Sequence, residues 1–89
     1  MVYIVSYDLL EPGQRYEDLT NLIKQEKVWA RLGGSAYLVE SSLSAVELRD
    51  RYKRVLDGND KLYIGQVTTP AAWYGLSDQV SEWIKEKLK

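Results

Sequence analysis

Residues 27–40 read KVWARLGGSAYLVE. Lys27 to Leu32 carries the β-branched and aromatic character of a strand, and so does Ser35 to Glu40. Gly33-Gly34 between them is a hairpin signal, because the two-residue turns that match strand twist need positive φ. The hairpin is flanked on both sides by a helical pattern and then by a further strand, and that placement decides the fold.

Upstream, residues 2–7 read VYIVSY, a short β-branched and aromatic run that predicts a strand. Pro12-Gly13 predicts a turn or helix entry. Tyr16, Leu19, Leu22 and Ile23 then recur at helical spacing, with Arg15, Glu17, Asp18, Asn21 and Lys24 largely opposite, so a helix is expected over 14–26. Downstream, Ser44 with Glu47 three residues on is a capping box, and Leu48, Tyr52, Val55 and Leu56 line one face of a second helix. Asp57-Gly58-Asn59-Asp60 ends it, and Lys61 to Val67 reads as a fourth strand. A last helix is expected from Ser77. Its apolar stripe is Val80, Trp83, Ile84 and Leu88, and its cationic tail (Lys85, Lys87, Lys89) suits the negative end of a helix dipole. The order β-α-β-β-α-β is the ferredoxin-like α+β arrangement with an additional C-terminal helix. The 89 residues suit one domain, with 68–89 its C-terminal loop and helix.

In that fold both main helices cover one sheet face. Strand parity offers an aliphatic set (Val2, Ile4, Ala36, Leu38, Leu62, Ile64) and a tyrosine-rich set (Tyr3, Val5, Tyr7, Tyr37, Val39, Tyr63, Val67). The aliphatic set is expected beneath the helices. Tyr3, Tyr7, Tyr37 and Tyr63 would then form an open face and serve as a homodimer interface, since so apolar a patch is unusual on a monomer.

Composition narrows the chemistry. There is no cysteine and no histidine, which removes disulfides, thiolate or imidazole metal ligands and histidine general bases. A bound metal would need oxygen ligands, as magnesium, calcium and manganese accept. Twelve Lys plus Arg against 13 Asp plus Glu, a net charge of -1, speaks against strong non-specific phosphate binding. With no membrane-length apolar run and no signal-peptide pattern, the expected location is cytoplasmic.

The opening YIVSYDL, the hairpin strand GGSAYLVE and Asn59-Asp60-Lys61-Leu62 together resemble the short proteins labelled SinR-family in bacterial and phage genomes. Those are similar in turn to the Cas-two family of CRISPR adaptation proteins. The resemblance implies a homodimer of ferredoxin-like subunits, linked to nucleic-acid metabolism or phage–host conflict. It further implies a divalent-metal-dependent nuclease acting on RNA or DNA with magnesium or manganese. The aspartate at the end of the first strand, which holds the metal between subunits in that family, matches Asp8. Two features depart from the pattern. Between Leu9 and Asp18 only Arg15 is positive, and Gly33-Gly34-Ser35 replaces the usual polar residues before the third strand.

Each candidate has a plainer reading. Asp8 can accept backbone hydrogen bonds at a strand end. By parity it follows the aliphatic set, so the strand would have to end or bulge near Tyr7 for its carboxylate to reach the open face. Arg49, Arg51, Lys53 and Arg54 could grip phosphates, or could simply be a solvated helix face diluted by Glu47 and Asp50. The tyrosines could stack bases, but a subunit interface uses the same residues without basic charge. Trp29, Trp73 and Trp83 read as packing residues, with Trp73-Tyr74 also a candidate partner contact. The C-terminal helix must dock, on its own subunit's edge or on the partner's. Related Cas-two dimers exchange C-terminal segments, which points to the partner. A non-catalytic homodimer that sequesters a protein or a small ligand is the alternative function.

Overall fold

Strand β1 (Val2–Asp8) alternates without ever becoming polar on one side over Val2 to Val5, so it needs cover on both faces. The computed structural model describes residues 1–9 and 14–88, with residues 14 and 15 described by their backbone alone. The expected Pro12-Gly13 turn, the Arg15 side chain and Lys89 lie outside the described residues. After β1 come α1 (Gln14–Lys24), β2 (Trp29–Gly33), β3 (Ala36–Glu40), α2 (Ala45–Tyr52), a 3-10 turn (Lys53–Val55), β4 (Lys61–Val67) and α3 (Asp78–Lys87). The strands form one antiparallel sheet in the order β2-β3-β1-β4. This is the ferredoxin-like α+β fold with an added C-terminal helix.

Local chemistry sets the element ends. At α2 the Ser44 amide donates to Glu47 Oε1 at 2.9 Å and the Glu47 amide donates to Ser44 Oγ at 3.1 Å, closing the expected capping box. Ser77 caps α3 by accepting from the Val80 amide at 3.2 Å. The hairpin turn falls one residue later than the glycine pair suggests. Gly33 (φ 116°) remains in β2, where pairing with β3 shifts between Arg31 and Gly33, and the chain turns at Gly34 (φ 54°) and Ser35. The second glycine's neighbour can make the turn because Gly33 absorbs the irregularity with a φ that other residues avoid.

The sheet faces are the reverse of the expected ones. Tyr3, Val5, Tyr7, Tyr37 and Val39 are buried against Leu19 and Ile23 of α1 and Leu48 and Tyr52 of α2. Val2 and Leu38, with Ile4, Leu32 and Val67, face the other way and pack on Val80, Trp83 and Ile84 of α3. Tyr3, Tyr7 and Tyr37 are therefore core residues, not a dimer surface, and Tyr37 is only 4% exposed. The longer tyrosines suit the helix side because their hydroxyls can reach out of the layer: Tyr3 donates to the Leu43 carbonyl at 2.8 Å. Only Tyr63, 67% exposed, stands on the opposite face. Strand β4 is out of the expected phase. Leu62 is registered with Tyr7 and Ile64 with Val5, so both join the helix face, whereas Tyr63 is registered with Ser6 and Val67 with Val2.

Helix α3 lies on the second face of its own sheet. Lys87 reaches Glu40 of β3 at 3.9 Å, and the Trp73 indole in the preceding loop donates to Ser81 Oγ at 3.0 Å. The stripe expected to reach a partner is thus seated within its own chain. No helix among the described residues is long and apolar enough to cross a membrane. Two substitutions test the layering. Tyr37→Glu places a charge beneath α1 and α2 and is expected to cost several kcal/mol of folding stability, and Ile84→Ala about 2–5 kcal/mol. Urea unfolding at several protein concentrations should give the same loss at each. A Tyr37→Glu chain as stable as its parent would place Tyr37 elsewhere.

Candidate functional site

Asp8 ends β1 as a regular strand residue, and no bulge is needed to expose it. It shares its parity with Ile4 and Ser6, and that is the face turned away from α1 and α2. The difficulty expected from parity disappears because the two faces are exchanged. Asp8 is registered with Lys61 and Ser6 with Tyr63 across β1 and β4. Ser6, Asp8, Lys61 and Tyr63 border a shallow depression of about 190 Å³ beside the part of the sheet that α3 packs on. The Tyr63 ring lies over Gly65, whose missing side chain makes room: a Cβ there would stand 3.0 Å from the tyrosine's Cε2 and hydroxyl.

The donor chemistry here is one carboxylate with two hydroxyls, which are oxygen ligands of the kind hard cations prefer. Among the described residues no three acidic side chains gather to hold a metal ion, and Lys61 faces Asp8 across the strands.

The four basic residues of α2 and the following turn are not gathered for a ligand. Arg49 donates to Asp50 Oδ1 through Nε at 3.1 Å and Nη2 at 2.9 Å, and Lys53 lies 3.8 Å from the same oxygen. The Arg49 guanidinium holds the Asp50 carboxyl below its ordinary value. Arg51 donates to Glu26 Oε2 at 3.0 Å, and Arg54 Nε donates to the Arg51 carbonyl. The Glu26 side chain, 5% exposed, also accepts from the Tyr52 hydroxyl at 3.0 Å. This cluster ties the end of α1 to α2, so Arg51 is a structural residue.

A second depression went unread in the sequence. Lys27, Trp29 and Arg31 on one side and Gln79, Val80 and Trp83 of α3 on the other line a groove of about 470 Å³ along the outer edge of β2. Lys24 sits over the Trp29 ring, 5.2 Å from its centroid. The i, i+2, i+4 spacing of Lys27, Trp29 and Arg31 was the available signal; α3's seat against β2 was not legible.

The fold and the lone exposed carboxylate at the end of β1 define a small ferredoxin-like α+β protein. No protein-family model matches the chain, and no curated protein does. Among solved structures it is similar to a hypothetical protein, TT1823, from Thermus thermophilus. The two are 30% identical with a TM-score of 0.68 over 84% of this chain and 90% of that one. The chain belongs to the same family as that Thermus protein.

Burial also shapes the pH response. Desolvation raises the Tyr52 hydroxyl well above its ordinary value near 10, with the Glu26 carboxylate adding to the rise, and desolvation raises Tyr7 as well. The folded chain then holds protons that the unfolded chain releases, so stability is fully present below about pH 10 and falls as pH rises beyond it. Tyr52→Phe is expected to cost about 1 kcal/mol at neutral pH and to flatten the alkaline fall. A stability curve for Tyr52→Phe that drops as steeply above pH 10 as the parent's would refute the assignment.

Proposed function

We propose that the protein acts on nucleic acid as a Cas-two-like homodimer, with Asp8 as its metal-binding carboxylate. The observation that carries this reading is the placement of Asp8, which emerges from β1 on the sheet face away from α1 and α2, where a second copy can approach it. Two copies related by a two-fold axis through this strip would bring two Asp8 carboxylates together, the number that one chain lacks. The chain's own residues would then have distinct parts. Asp8 supplies negative charge and oxygen lone pairs, Ser6 and Tyr63 supply neutral hydroxyls, and Lys61 supplies a cation able to meet a phosphate oxygen. A magnesium or manganese ion held there supplies charge compensation at the scissile phosphate and acidifies a water molecule.

A second reading has its own support. Asp50 and Glu26 engage three of the four basic residues of α2 and its following turn, and a single carboxylate faces Lys61. Both features suit a homodimer that binds a partner without cleaving it.

Light scattering at micromolar concentration is expected to give about twice the 10.3 kDa chain mass. Single-stranded RNA and duplex DNA should be cut only with magnesium or manganese. Asp8→Asn should reduce cleavage more than about 100-fold, beyond the usual cost of losing a residue outside the metal's own ligands, with unchanged unfolding. Cleavage that survives Asp8→Asn removes Asp8 from the reaction. A dimer that cuts neither substrate leaves the binding reading.

A further inference from the structure

The groove along β2 has features that the Asp8 site does not use. It sits at the opposite edge of the sheet, since β2 and β4 are the two outer strands. Its walls carry one tryptophan from each sheet face: Trp29, packed beside the α1/α2 core, and Trp83, packed with the α3 layer. Lys27 and Arg31 are exposed at its rim, and among the described residues neither has a carboxylate within ion-pair distance. That contrasts with Arg49, Arg51 and Lys53, which all have one. In a chain of net charge -1, two exposed cations that make no ion pair among the described residues, set beside indole rings, are a specific arrangement.

The floor of the groove contributes hydrogen-bonding groups. The Glu40 amide donates to the Val28 carbonyl, so Val28 points towards β3. By the alternation of an antiparallel ladder, the backbone amide and carbonyl of Trp29 point outwards, at the sheet's free edge. An added peptide strand is a poor occupant. The pairing shift between Arg31 and Gly33 and the positive φ of Lys27 (70°) confine the regular edge to Trp29, Ala30 and Arg31. Flat rings, an outward amide and two exposed cations instead suit a planar heterocycle joined to a phosphate.

We infer that the groove between the β2 edge and α3 binds single-stranded nucleic acid, with an unpaired base stacking on Trp83 and backbone phosphates meeting Lys27 and Arg31. A duplex does not fit this chemistry, because its bases are already stacked on each other and cannot lie on the indoles. The inference shares with the proposed function only the idea that the chain meets nucleic acid. It does not depend on Asp8, on a metal or on cleavage.

The test uses fluorescein-labelled decathymidylate and decauridylate with the full chain in EDTA, so that metal-dependent cleavage cannot occur. Anisotropy should report binding, and the tryptophan emission should be quenched along the same curve. Arg31→Glu and Lys27→Glu, both at exposed positions, are expected to weaken binding about tenfold each and to lower the salt slope by about 0.7 for each lost phosphate contact. Trp83→Ala should weaken binding about five- to a hundredfold; because Trp83 also packs against α3's neighbours, its unfolding curve is measured alongside. Failure of the parent to bind, equal affinity in Arg31→Glu, or a ten-base-pair duplex binding as tightly as the single strands would overturn the inference. Asp8-dependent cleavage with an unchanged KM in Arg31→Glu would also overturn it while leaving the Asp8 reading standing. Groove-dependent binding without any cleavage would support it and remove only the nuclease.

Discussion

Everything in this fold depends on a sheet whose two faces are both largely apolar. Strand β1 lies between β3 and β4, and its neighbouring residues Val2 and Tyr3 are both nearly inaccessible although they point in opposite directions. A four-stranded antiparallel sheet often leaves one face to water, but here that would expose Val2, Ile4, Leu32, Leu38 and Val67 together. Two helices cover the first face, as the β-α-β-β-α-β order requires. The third covers the second face, and burial of the Ile84 and Trp83 side chains gives it reason to stay, at roughly 25 cal/mol for each Å² of apolar surface removed from water.

A single short helix cannot span the whole second face, and what it leaves uncovered is where chemistry can happen. Helix α3 packs on the side nearer β2, leaving Ser6, Asp8, Lys61 and Tyr63 towards β4. Its outer flank and the β2 edge enclose the tryptophan groove. Both depressions are thus by-products of one packing decision. The strip keeps its polar residues because β1 stops being apolar at Ser6, and Asp8 continues that polar end.

Charge on this chain is divided in the same way. The cations of α2 are held by Asp50 and Glu26, and the Glu26 cluster with Arg51 and Tyr52 links α1 to α2. Removing the carboxylate from such a cluster leaves a buried hydroxyl without its acceptor, which is why these residues belong to stability. A run of Arg and Lys in a sequence therefore says little about ligands until the nearby carboxylates are placed.

The element order, the capping box at Ser44 and Glu47, the bounds of β4 and the existence of α3 were all legible from the amino-acid sequence, because each rests on interactions within a few residues. So was the parity of Tyr3, Val5 and Tyr7 within β1, since alternation along one strand is a local property. Which parity faced the helices was not legible. Both sets are apolar enough for burial, and hydroxyl reach to groups such as the Leu43 carbonyl favours the tyrosines on the helix side. The phase of β4 against β1 was equally hidden, because register is fixed by pairing between strands far apart in the chain, and a shift of one residue moves every side chain to the other face. Asp8 was identifiable as the lone carboxylate at the end of the first strand. Its exposure beside Ser6 and Tyr63, and the placing of Trp29 and Trp83 along one groove at the sheet edge, were decided only when the helices settled on opposite faces.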